Sequence, residues 1–211
     1  MSKFAIDVAL LFSKDTERNL IDLNHSLKQN YSHRRIYLNK ENCFPHISLF
    51  MGVINYGNID RIGRELEQVS KKFNHLNLEI EKLNIENLPV KEGVIKISGF
   101  EIKENDVLKN LHEKIADKIK GYIKKEIKKG YLFNPNEIDK KDTPWMFPYI
   151  KNFVENSSYE NFKSHITIGD GTLEKELKLP INFTALRLAI CHLGNYCTCR
   201  KVLYETNLRN N

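Results

Sequence analysis

An α+β fold made of two related lobes is what this sequence predicts, and three observations lead there. Short apolar or alternating runs of strand type occur beside stretches whose apolar residues stand three and four apart, the spacing of a helix face. An order of helix, loop and strand then recurs, with Pro45-His46-Ile47-Ser48-Leu49 echoed by Ser164-His165-Ile166-Thr167-Ile168. Finally, 211 residues with 41% apolar and 28% charged side chains suit a soluble globular chain with a substantial core, organised as a single domain over 1–211.

Residues 4–12 read as an apolar strand, and 15–30 as a helix through Leu20, Leu23 and Leu27. A basic loop at 31–35 leads to a β-rich segment at 44–54, followed by a helix over 58–73 carried by Ile59, Ile62, Leu66 and Val69. Leu76, Leu78 and Ile80 alternate with polar neighbours and predict a strand over 76–85, with another at 94–100. The strongest helical pattern covers 105–129, with Asn105 or Asp106 as N-cap and Gly130 as stop. Residues 131–162 hold Pro135, Pro144, Trp145, Phe147, Pro148 and Tyr149 without a clean period, which predicts an inserted aromatic loop with some helix inside it. Strands at 163–169, 183–193 and 198–208 complete the chain, the last two joined by a turn at Gly194 and Asn195.

A net charge of +6 and a pI near 9.0 draw anionic partners weakly. The four cysteines, the want of a cleavage-site pattern near the start, and the lack of any run of about 20 apolar residues predict a cytoplasmic protein with free thiols and no membrane span. A monomer is expected.

The repeated tetrads carry the chemistry. In a strand, residues two apart share a face, so His46 and Ser48 project together while Ile47 and Leu49 turn to the core; His165 and Thr167 do the same against Ile166 and Ile168. An imidazole titrating near neutrality serves as acid or base, and the hydroxyl beside it can bond a phosphate oxygen. With seven histidines, chance gives such a tetrad only about 0.1 times; one alone means little, since a core-edge histidine explains it, but two are not accidental.

PHISL and SHITI, about 120 residues apart, resemble the paired motifs of the two-histidine phosphoesterases, with Ser in the first where Thr is commoner. That resemblance implies a bilobed fold whose two antiparallel sheets line a central cleft, with helices packed outside. It implies catalysis without metal or cofactor: His165 as base, His46 as acid (or the reverse), and Ser48 and Thr167 holding phosphate oxygens. The implied substrate is a 2′,3′-cyclic phosphate or 2′-5′ linkage in RNA ends or nucleotides. Signalling oligonucleotides such as 2′-5′ oligoadenylate or cyclic oligonucleotides form an alternative, and so does a nucleotide- or RNA-binding module without turnover.

Arg187, among Leu186, Leu188 and Ile190, is expected to face away from that core, and Tyr196 and Arg200 on the last hairpin are candidates for base stacking and phosphate contact. Trp145 and Tyr149 are further candidates for stacking on a base, against a plainer role in packing the loop. Cys191, Cys197 and Cys199 with His192 lack a CxxC pair and do not predict a metal site. His25, His33, His75 and His112 have no partner pattern and are expected at the surface.

Overall fold

The computed structural model describes residues 2–29, 34–138, 141 and 143–210. Seven strands form one antiparallel sheet: β1 (Lys3–Phe12), β2 (Ile47–Asn55), β3 (Leu76–Val90), β4 (Gly93–Ile102), β5 (His165–Asp170), β6 (Ile181–Leu193) and β7 (Cys199–Asn207). The helices are α1 (Lys14–Ser26), α2 (Ile59–Ser70), α3 (Asp106–Ile119), α4 (Met146–Lys151) and α5 (Phe153–Ser157). The expected α+β class is observed, and no helix among the described residues is long and apolar enough to cross a membrane.

The two expected sheets are joined into one because they share β6. Residues 181–185 of β6 pair with β3, which leads on to β4 and β5. Residues 185–192 pair with β1, which leads to β2, and 187–193 pair with β7. Each half is thus four strands wide. Although β2 and β5 end opposite arms of this path, their Cα atoms approach within 8 Å, so the open sheet curls back on itself.

Strand alternation sorts the side chains. Ile6, Val8, Leu10 and Phe12 of β1 and Leu188 and Ile190 of β6 enter the main core with α2 and α3. Ala9, Leu11, Ala189, Cys191 and Cys199 form a separate cluster on the other face. Gly63 lets α2 lie close to the sheet, since a Cβ there would strike the Tyr204 ring.

Buried polar side chains fix the second half. Asn24 of α1 donates to the Ile168 and Ile36 carbonyls at 2.7 and 3.0 Å and accepts from the Leu38 amide at 3.1 Å. Asp170 accepts from the Arg35 and Ile36 amides, both at 2.8 Å. Gly169, at φ 152°, is required between them, because a Cβ would collide with the Asn24 amide.

Several expectations change. The helix predicted to 129 begins as expected, with the Asn105 side chain capping Leu108, but stops at Ile119. Beyond it the Lys124 amide donates to the Val53 carbonyl at 2.8 Å, and Ile123 packs on Gly52. Pairing with β2 overrides the helical period there, and Gly121 weakens the helix where the chain turns away. The first helix likewise ends at Ser26, with Leu27 as its cap, rather than continuing to 30. The aromatic stretch 131–162 contains α4 and α5, and the last turn spans five residues from Gly194 to Thr198 rather than two. His33 and most of the basic loop at 31–35 lie outside the described residues.

His112, expected at the surface, is fully buried. Its Nδ1 donates to the Leu49 carbonyl at 2.7 Å and its Nε2 accepts from the Tyr159 amide at 2.8 Å, while its ring stacks on Phe162. A neutral ring satisfies both bonds, and burial lowers its pKa. This histidine ties the backbone of the first tetrad to the segment that leads into the second. Replacing His112 with Leu strands two buried backbone groups, so the predicted loss in chemical denaturation is about 2–4 kcal/mol. With the folded pKa depressed, the stabilisation by this ring is fully present above about pH 6.5 and is lost as pH falls through the folded value, so the gap between wild type and variant narrows in acid.

Candidate active site

Both tetrads present their polar members on the face away from the main core. Ile47, Leu49, Ile166 and Ile168 are all fully buried in that one core, which turns His46, Ser48, His165 and Thr167 to the opposite side. The two histidines are also held alike. His46 Nδ1 donates to the Phe44 carbonyl at 2.8 Å, and His165 Nδ1 to the Lys163 carbonyl at 3.1 Å, in each case the residue two positions earlier. A carbonyl can only accept, so each Nδ1 carries a proton and each Nε2 is the nitrogen left for chemistry. His165 is exposed and Thr167 half-buried on β5.

His46 has a neighbour that the tetrad does not announce. Asp7, in the middle of β1 and 0% exposed, places Oδ2 at 3.4 Å from His46 Nε2 and accepts a 2.6 Å hydrogen bond from the Ser48 hydroxyl. With Nδ1 already protonated, a neutral His46 would turn a lone pair toward a carboxylate oxygen; a second proton on Nε2 converts that repulsion into an ion pair. Burial pulls the His46 pKa down, but the hydrogen bond and charge of Asp7 outweigh it and the net direction is up. Ser48 spends its proton on Asp7, so in this arrangement it orients the carboxylate rather than offering a donor to phosphate. Cys199 lies on the other side, its thiol donating to the same Oδ2 at 3.8 Å. Asp7 Oδ1 is buried with no partner among the described residues.

The remaining candidates separate. Arg187 faces away from the core, as expected, and forms a 3.1 Å ion pair with Glu205. It helps to line a cleft of about 940 Å³ with Leu11, Phe44, Val202, Lys14 and Lys40. This cleft begins beside the catalytic candidate, since Phe44 supplies the carbonyl that holds the His46 ring. Tyr196 is not displayed for a base: it is buried at 7% exposure among Ile36, Cys43 and Ile95 and tilts against Trp145. Trp145 and Tyr149 are half-buried, and their rings meet edge to face, packing the 131–162 segment on the sheet. Arg200 reaches Glu137 at 3.3 Å and covers the Phe133 ring, which pins that segment to the last hairpin. Cys191 and His192 do point to opposite faces, His192 stacking on Phe4 and bonding the Tyr131 carbonyl.

Comparison with solved structures gives this geometry a context. LigT of E. coli complexed with 3′-AMP superimposes with a TM-score of 0.57 at 10% identity, over 98% of this chain and 99% of that one. TT0787 of Thermus thermophilus gives 0.56 at 10% identity over 99% and 100%. The chain has a LigT-like fold. LigT complexed with phosphate, at 0.54 and 9% identity, covers both chains completely, so the LigT-like architecture spans the whole sequence. No family model and no curated protein matches the sequence.

Asp7 is the residue that sequence reasoning missed. Its signal was a lone carboxylate inside an otherwise apolar strand, FAIDVALLF, where a charge requires a partner. Asp7→Asn keeps the shape and removes the charge. His46 should then titrate below the wild-type ring and below about 6.5, because burial, the largest influence, is then opposed only by the hydrogen bond to the Phe44 carbonyl. Imidazole NMR titration of the two proteins measures this, and an unchanged His46 would separate the pair.

Proposed function

We propose that this chain is a two-histidine phosphodiesterase that hydrolyses 2′,3′-cyclic phosphate ends of RNA or nucleotides without needing a metal. The observation that carries the proposal is the matched pair of tetrads. In each, the start of a strand presents an imidazole whose Nδ1 is tied back by the carbonyl two residues earlier, and in each the intervening apolar residues anchor in the same core. LigT complexed with phosphate, 3′-AMP or ATP supports a nucleotide-sized anionic ligand for the shared fold.

The Asp7–His46 pair supports one division of roles. His46, held toward its charged form, is the acid, and His165 is the base. His165 Nε2 takes a proton from water as the new P–O bond forms. The P–O3′ bond breaks, and the departing 3′ oxygen takes the His46 Nε2 proton, leaving a 2′-phosphate. Thr167 holds a non-bridging oxygen as charge develops, while Ser48 keeps Asp7 aligned beneath the acid. The cleft bounded by Phe44, Arg187, Lys14 and Lys40 would take the nucleoside and its neighbouring phosphates.

The test is a panel of 2′,3′-cyclic nucleotides, 2′-5′ and 3′-5′ oligonucleotides and cyclic dinucleotides, assayed with excess chelator. The expected result is turnover of the 2′,3′-cyclic members, with His46→Ala and His165→Ala each lowering kcat/KM by about 10²- to 10⁴-fold. Preferential turnover of 2′-5′ or cyclic oligonucleotides would move the substrate to the signalling class, and tight binding without turnover would make the chain a binding module. A bell-shaped pH profile is expected. Activity falls in alkali as His46 loses its proton, and Asp7→Asn moves that alkaline limb to lower pH.

A further inference from the structure

Around Asp7 three elements bring unlike donors to one point. The carboxylate comes from β1, the His46 imidazole from the entry to β2, and the Cys199 thiol from the start of β7. One donor atom from each lies within 4.8 Å of the others. Tetrahedral zinc, with bonds of about 2.0–2.3 Å, sets its ligand atoms roughly 3.3–3.7 Å apart. The separations here are 3.4 Å from His46 Nε2 to Asp7 Oδ2 and 3.8 Å from Cys199 Sγ to the same oxygen.

We infer that Asp7, His46 and Cys199 form a three-ligand site for a borderline-soft divalent cation of the zinc type, and that filling it switches the phosphodiesterase off.

Two features beyond proximity point to a cation. Asp7 Oδ1 is buried without a partner among the described residues, so the carboxylate that supplies Oδ2 to the cluster has been stripped of water and is incompletely compensated. The His46 ring is oriented as metal-binding imidazoles are, its far nitrogen donating to a backbone carbonyl so that the Nε2 lone pair faces the other ligands. The donor set of imidazole, carboxylate and thiol selects zinc over magnesium or calcium, which prefer all-oxygen sites. Asp7 and Cys199 are fully buried and the His46 side chain is 13% exposed, so an ion would enter past His46. Cys191 packs with Cys199 in the same buried cluster. On binding, the thiol proton and the second proton of the charged ring leave to solvent as S–metal and N–metal bonds form.

Binding itself is independent of the function proposed above; the inhibitory effect rests on that reading, because the ion takes the nitrogen that would deliver the proton. The experiment titrates the full chain, stripped with chelator and held reduced, with Zn²⁺ against a chromophoric indicator. Co²⁺ then serves as a spectroscopic substitute. The expected result is one zinc per chain and a sulfur-to-cobalt charge-transfer band. Cys199→Ala should abolish the band and weaken zinc by at least about 10-fold, the lower end of what even outer-shell changes cost. Cys197→Ala, at a buried thiol outside the ligand set, should keep both. Circular dichroism checks folding, and His46→Gln gives a second ligand removal should Cys199→Ala fail to fold. A folded wild type that binds no zinc, or zinc affinity unchanged in a folded ligand variant, would overturn the site. Stoichiometric zinc should also suppress turnover in wild type; zinc bound at these ligands with turnover unaffected would overturn the inhibitory role. A chain that binds zinc in this pattern yet turns over nothing under chelator refutes the proposed function and leaves the metal site standing.

Discussion

The thirteen residues of β6 hold the whole arrangement together. One edge of this strand is divided between β3 and β7 while the other is taken by β1, so the two halves of the sheet are read off a single backbone. Alternation along this strand shifts once, at a bulge where Leu11 faces Arg187 and Phe12 faces Ala185, and that shift keeps Phe183, Ala185, Leu188 and Ile190 on one inner face across both halves. The apolar members of the two tetrads all fall on the inner face, and the histidines and hydroxyls have no choice but the other. His112 strengthens the relation by bonding the backbone at Leu49 and at Tyr159 with the two sides of one ring.

Asp7 is where this order meets electrostatics. A carboxylate fully removed from water is costly unless charge and hydrogen bonds compensate it. Ser48 supplies one bond, Cys199 a weaker one, and His46 supplies opposite charge when its ring is doubly protonated. The compensation is incomplete, since one oxygen stays unpaired among the described residues. The same shortfall that biases His46 toward imidazolium also makes the pocket receptive to other cations, so proton and metal compete for one nitrogen.

What the sequence made legible follows from period. The tetrads, the strands and the helical faces through Leu20, Leu66 and Leu111 were readable because core and surface alternate locally. The larger failures involve partners far along the chain. Ile123 continues a helical spacing, but β2, some seventy residues earlier, captures its backbone neighbour Lys124. Tyr196 looked like a hairpin tip until the 131–162 segment and residues 36–43 closed over it. His112 and Asp7 carry polar groups whose partners no local window contains, and only the second left a trace, as a charge interrupting an apolar run.

Sharing a strand has a mechanical side as well. Proteins that clamp ligands between lobes commonly swing about a few loop residues, which absorb the rotation at little energetic cost. Here the two halves meet along continuous, doubly bonded backbone, so widening the gap between them means bending or untwisting β6 against its ladders on both edges. The face that carries the two histidines is therefore built on shared backbone rather than on two bodies joined by a loop. Selection among ligands falls to the side chains and segments laid over that face, while the spacing of the two imidazoles stays a property of the scaffold.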